Sequence, residues 1–202
     1  VIFHAYYADV PADVVERFVD AQELGRLITV GGDGTPHVGL YPFVRATGGF
    51  DLHLVRDDEV AVDLRARPRC VFEVDEPLGV IPSYWVHAEY GGSATAYHRT
   101  VIFECAGTVV NDPGAVAAQQ ARLMARYQPE GGFRAIDPQD PLYRGALGML
   151  AAVRLTVERA RIKFKLGQNR PVETRRKIVQ FLRERGRPND TRAAEALEST
   201  LP

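Results

Sequence analysis

Apolar positions along this chain follow two rhythms, one of period two and one near 3.6, and the elements follow from them. Val14, Val15, Phe18 and Val19 share one face of a short helix predicted over 11–19, with Pro11 suited to its first turn and Asp13 and Glu16 to its positive end. Leu24 to Val30 and His37 to Val44 then read as strands joined by Gly31-Gly32-Asp33-Gly34, a hairpin signal. Phe50, Leu52 and Leu54 alternate with Asp51, His53 and Val55 in a further strand. Asp57 to Arg67 is predicted helical, Arg69 to Asp75 a strand, Pro77 to Trp85 an apolar turn-rich stretch, and Arg99 to Val110 a long strand. Asn111-Asp112-Pro113 opens a helix over 115–127, Pro141 to Leu150 suggests another, and Val153 to Leu166 returns to strand alternation. Pro171 to Arg185 is an amphipathic helix burying Ile178, Val179, Phe181 and Leu182, after which the chain is polar and Ala-rich, a loose tail or marginal helix.

Short strands joined by tight turns favour an antiparallel sheet or barrel over a doubly wound parallel sheet. The expected class is α+β with a mostly β core. Residues 1–187 are expected to form one domain and 188–202 a polar C-terminal tail. The chain has 202 residues, 46% apolar, enough to bury a core without staples. No apolar run reaches the ~20 residues of a membrane helix. The first residues lack the flank and apolar stretch of a signal peptide, and with two cysteines, Cys70 and Cys105, in apolar strand contexts, free buried thiols in a cytoplasmic setting are expected.

The formal net charge of −1 conceals an asymmetry. Residues 1–100 carry 15 acidic and 8 basic side chains, whereas 158–187 alone carry 11 basic and 3 acidic. That balance excludes a protein that coats nucleic acid all over and leaves one local basic face. The arginines of 171–185 spread over more than one helix face beside Glu173 and Glu184. The stretch is therefore expected to serve ion pairing and a small anionic ligand, not sequence-specific DNA recognition.

Several chemistries are missing. There is no Gly-x-Ser-x-Gly elbow, no His-Glu-x-x-His, no Cys-x-x-Cys and no Walker or dinucleotide spacing, so no metal site and no catalytic group is named. Asp57-Asp58-Glu59 reads as the carboxylate-rich start of a helix.

Three segments carry a resemblance. Lys163-Phe164-Lys165-Leu166-Gly167-Gln168-Asn169-Arg170 closely resembles a Lys-Phe-Lys-Leu-Ser-Gln-Asn-Arg motif of the PaiB-like proteins, a branch of the FMN-binding split barrels related to pyridoxamine phosphate oxidase. Leu52-His53-Leu54-Val55-Arg56 is similar to that family's strand ending in His-Leu-Ala-Arg, and Ile81-Pro82-Ser83-Tyr84-Trp85 to its Ile-Ser-Pro-Ser-Trp-Tyr turn, one residue shorter. The resemblance covers roughly residues 3–186. It implies a split β-barrel of about six antiparallel strands with peripheral helices, a homodimer, and FMN at the subunit interface. It also brings a negative-regulator reading for some members and flavin-dependent oxidoreductase chemistry for more distant ones.

Carried over by position, the resemblance implies a cofactor site of twelve residues. Leu40, Tyr41, Pro42 and Phe43 would face the flavin ring. His53, Leu54, Val55 and Arg56 would follow, with Arg56 at the phosphate, where a guanidinium makes paired charge-assisted hydrogen bonds. Ser83, Lys165, Gln168 and Asn169 would complete it. Two segments depart from the family pattern: Asp57-Asp58-Glu59-Val60 stands where Ala-Asn-Pro-Gln is common, and Ala96-Tyr97-His98-Arg99-Thr100 where Pro-Thr-Trp-Asn-Tyr is common.

Overall fold

A computed structural model describes residues 2–202. Seven strands form one sheet in the order β2-β1-β5-β6-β7-β4-β3. They are β1 Leu24–Val30, β2 Pro36–Pro42, β3 Val44–Ala46, β4 Gly49–Val55, β5 Arg69–Ile81, β6 Thr95–Val110 and β7 Leu150–Lys165. Seven α-helices accompany them among the described residues: α1 Ala5–Ala8, α2 Ala12–Ala21, α3 Glu59–Ala66, α4 Pro113–Tyr127, α5 Pro141–Met149, α6 Val172–Arg185 and α7 Asp190–Glu198. The class is α+β with an antiparallel β core, as the alternation predicts. No helix among them is long and apolar enough to cross a membrane. The chain divides into two compact units, one of residues 19–74 and 102–160, the other of 2–18, 75–101 and 161–202.

In the first unit, β1 and β2 form the expected hairpin, with Ile28 opposite Val38. Helix α3 packs on it. The buried Asp63 accepts from Thr29 Oγ1 at 2.6 Å and meets His37 Nδ1 at 2.8 Å. Phe43, Phe50, Phe72 and Phe103 make a chain of edge-on or tilted ring contacts in the core, with centroids 4.8–5.5 Å apart. Cys70 and Cys105 are free and buried, as expected, and burial pushes both thiols up to about 12.

The count of seven strands, against about six expected, has a physical cause. The apolar run His37 to Val44 predicts one strand, but the ladder breaks after Pro42, which has no N–H to give. Phe43 turns the corner instead. Its N–H donates to the Tyr127 hydroxyl at 3.1 Å, and that hydroxyl lies 2.7 Å from the Phe43 carbonyl. The chain resumes as β3.

In the second unit, β5 runs on through the stretch predicted as turns and stops at Ile81, with Ser83–Trp85 forming one 3-10 turn. Trp85 is held between Phe181 (centroids 5.4 Å apart) and the Arg185 guanidinium, 4.7 Å from the ring centroid. Residues 190–198 form α7, whose Ala193, Ala194 and Leu197 are buried. The Arg185–Asp190 pair, 2.5 Å apart, and the Arg183–Glu198 pair at 2.7 Å join α6 to this segment.

Candidate functional site

The twelve residues implied by the resemblance fall into both units, and each group is described by itself.

In the first unit, β4 and β7 pair from Gly49 opposite Thr156 to Val55 opposite Leu150. The Arg56 N–H continues that contact to the Met149 carbonyl at 2.8 Å, which fixes where β4 ends and α3 begins. Asp58 is the N-cap of α3: one carboxylate oxygen accepts from the Val60 N–H at 2.9 Å, the other from the Tyr41 hydroxyl at 3.0 Å. Burial, reinforced by the Asp58 charge, pushes the Tyr41 phenol well above its ordinary value, so it remains a donor. The acidic triplet thus does start a helix.

Of the eight implied residues in this unit, Phe43 and Leu54 are enclosed in the core. Pro42 is partly buried where β2 ends. Leu40 and Val55 are more than half exposed. His53 Nδ1 and Arg56 Nε are buried without a hydrogen-bond partner. Burial lowers the His53 pKa, which favours the neutral ring. The Arg56 orphan is the feature that fits an anionic group, because a buried donor without a partner is costly until something accepts from it. The α3 N-terminus does not fit one, since Asp58 already fills it. At an effective dielectric of ~20, a second negative charge 4 Å away would cost about 4 kcal/mol.

In the second unit, Lys163 and Lys165 lie two apart on β7 and so on one face. The following turn is closed by Gln168, whose side chain accepts from Leu166 N–H at 2.9 Å and donates to the Phe164 carbonyl at 2.6 Å. Both ends of that amide are therefore spent on the turn, and its part is to shape the loop. Gly167, at φ +77°, allows the reversal, and Arg170 N–H closes it on the Gly167 carbonyl at 2.8 Å.

The result is a cavity of about 340 Å³. Lys163, Lys165 and Arg170 line it together with Tyr7, Thr95, Tyr97 and Asn169, while His4 and Tyr6 add a stacked ring pair with centroids 5.0 Å apart. Lys165 Nζ donates to Thr95 Oγ1 at 2.5 Å, and the Tyr7 hydroxyl to Asn169 Oδ1 at 3.3 Å. Burial and the neighbouring Lys163 charge lower the Lys165 pKa, and burial pushes Tyr97 up to about 12. Among the described residues, no carboxylate lines the cavity.

Lys165 and Asn169 thus sit in one cavity. Ser83 opens its 3-10 turn and accepts through its carbonyl from Val86 and His87 N–H at 2.9 and 2.8 Å. Tyr7, Thr95 and Tyr97 are cavity residues that the sequence analysis did not place in the site.

A family model described as "Putative FMN-binding domain" matches residues 2–159. No curated protein matches the sequence. Three solved structures share the fold. A conserved hypothetical protein of Mycobacterium tuberculosis is 22% identical over 85% of this chain and 94% of its own, with a TM-score of 0.60. The flavocytochrome Anf3 of Azotobacter vinelandii is 16% identical over 81% and 72%, with a TM-score of 0.66. A FAD and heme binding protein of Mycobacterium smegmatis is 16% identical over 78% and 72%, with a TM-score of 0.63.

Proposed function

The chain belongs to this FMN-binding domain family, and from that premise we propose that it holds FMN as a redox or regulatory cofactor in a homodimer. The observation that carries the reading, beside the family match, is the buried Arg56 Nε that lacks an acceptor at the end of β4. Arg56 would hold an anionic oxygen of the cofactor through charge-assisted hydrogen bonds. Leu40 and Val55, exposed on β2 and β4, offer apolar surface of the kind a flavin ring covers. When bound, the flavin supplies electron transfer at its ring system, and the protein binds, orients and shields it. Tyr41 holds its proton and keeps Asp58 turned to the helix start, which favours an anion at Arg56 over one at α3.

A regulator acting by contact with DNA is less well supported. Arg176, Arg183 and Arg185 of α6 are matched with Glu173, Glu198 and Asp190, and Arg175 is buried against Thr200. Few of the helix's cations are left to meet phosphates.

Fluorescence titration of the purified chain with FMN tests the reading. We expect saturable quenching, weakened by ~1.5–3 kcal/mol in Arg56→Ala, the usual worth of a hydrogen bond to a charged group. Asp58→Asn, which retains a capping oxygen and removes a charge, should tighten binding. Absence of saturable FMN binding by the wild-type chain would refute the proposal. Unchanged affinity in Arg56→Ala would refute the placement.

A further inference from the structure

We propose that residues 129–149 form a hinged flap that opens as a unit while the sheet stays folded, and that closes against the end of β4 where Arg56 lies. Only in what it closes over does this rest on the flavin reading. The segment joins α4 to β7 and differs from its neighbours in how it is held. Residues 128–140 contain neither helix nor strand. Inside a compact unit such long connections are uncommon and tend to be lids or binding loops. Of residues 129–149 only Leu147 is buried. The hydrogen bonds of the segment are its own. Arg134 pairs with Asp140 at 3.1 Å, the Tyr143 hydroxyl donates to the Arg134 carbonyl at 2.6 Å, and Arg144 donates to the Gln139 carbonyl at 2.9 Å. Among the described residues, no hydrogen bond or ion pair of 129–148 reaches beyond Gln128 at one end and Leu150 at the other. Helix α4 is the contrast, tied through Gln119 to Val153, Arg122 to Asp51 and Arg126 to the Asp20 and Gln22 carbonyls. What holds the flap down is one small apolar cluster, in which Leu147, Ile136, Tyr143 and Leu150 pack with Val116 and Ala117 of α4 and Ala152 of β7.

Both ends suit a hinge. At one, Gly131 and Gly132 sit at φ +72° and +83°, a region glycine enters without steric cost, and a Cβ added at Gly131 would meet nothing within 4 Å. At the other, the Arg56 N–H holds the Met149 carbonyl at 2.8 Å, and Val55 pairs with Leu150 where the β4–β7 ladder begins. The flap therefore leaves the sheet beside Arg56. A nine-residue helix is marginal in water on its own, and α5 carries Gly145 and Gly148 in its interior, so it melts once Leu147 leaves the cluster. Such local unfolding costs less than unfolding of the unit, whose own core stays packed. A ligand held by Arg56 steadies the residue that anchors Met149. Closure and binding then favour one another, and the coupling is reciprocal.

The test is iodoacetamide labelling of the full chain with Ala117→Cys placed under the flap, and with the native Cys70 and Cys105, buried in the same unit, as internal references. Without FMN, the introduced thiol is expected to react at least ~100-fold faster than Cys70 and Cys105, since it needs only the local opening. Gly145→Ala/Gly148→Ala, where the added Cβ atoms meet nothing within 4 Å, should slow that reaction about tenfold by stabilising the closed helix. Leu147→Ala should speed it at least ~tenfold while Cys70 and Cys105 stay unreactive. If that variant fails to fold, the glycine pair still decides the question. An introduced thiol no faster than the native two overturns the flap, as does a glycine pair that changes nothing. Saturating FMN should slow the labelling at least ~fivefold. FMN that binds and leaves the rate unchanged overturns closure at Arg56. Fast labelling in a chain that binds no FMN defeats the flavin reading and leaves the flap standing.

Discussion

Gly167 shows how much one position can hold. A Cβ added there would lie 2.1 Å from the Tyr97 hydroxyl oxygen, and the backbone sits at φ +77°, where L side chains are strained. The octet that residues 163–170 resemble carries serine at this position, and the resemblance also fails at 96–100, where Tyr97 stands. The Tyr97 phenol fills the space a side chain at 167 would need. Gly167→Ser is therefore expected to destabilise by ~1–3 kcal/mol, and the cost should shrink in a Tyr97→Phe background, where the blocking oxygen is gone. Urea denaturation of the four proteins in a double-mutant cycle measures the coupling. A coupling of zero would mean that the turn moves aside and that the two positions are independent. At this scale the sequence exposes the lysines, two apart on a strand, but not Tyr7, Thr95 or Tyr97. The Tyr7 contact with Asn169 spans 162 positions and the Lys165 contact with Thr95 spans 70, and no local pattern encodes either.

At the scale of elements, alternation and caps make most strands and helices legible, while the exceptions come from distant side chains that override a local pattern. The apolar run through Pro42 and Phe43 looks continuous, and only Tyr127, 84 positions away, makes the corner. Residues 190–198 look polar because their buried face is built from alanines. Gln119 belongs to the same class of long-range determinant. This buried α4 side chain donates to the Val153 carbonyl at 2.8 Å and accepts from the Val153 N–H at 3.2 Å, so it ties α4 to β7 through two main-chain groups. Gln119→Leu retains volume and removes both partners. Each buried group left unpaired costs ~1–3 kcal/mol, so a loss of ~2–4 kcal/mol is expected. Chemical denaturation checks the size, and hydrogen exchange should show faster exchange at the Val153 amide. A loss within ~0.5 kcal/mol would mean that water replaces the amide and that the tie is not structural.

The whole molecule carries a feature that a lone chain leaves unexplained. Strand β2 is last in the sheet order, so among the described residues one side of it has no neighbouring strand. Edge strands are usually protected by charge, yet Pro36–Pro42 contains no Asp, Glu, Lys or Arg. Pro36 and Pro42 bound it, which limits strand-to-strand extension and leaves side-chain packing as the available contact. Val38 and Leu40 on β2 are 62% and 54% exposed. In the same unit, Val55 at the end of β4 and Met149 at the end of α5 are 57% and 63% exposed. Exposed apolar side chains of this kind are ones a partner can cover, and a second copy is the partner always present at equal concentration. Light scattering at micromolar concentration is therefore expected to give twice the 22.4 kDa of the chain. Val38→Asp/Leu40→Glu should shift the mass to that of one chain while circular dichroism stays native. These side chains are solvent-exposed in the single chain, so their charge costs little unless a partner is lost. A wild-type mass of 22.4 kDa, or a variant that keeps the doubled mass, would place the contact elsewhere or remove it.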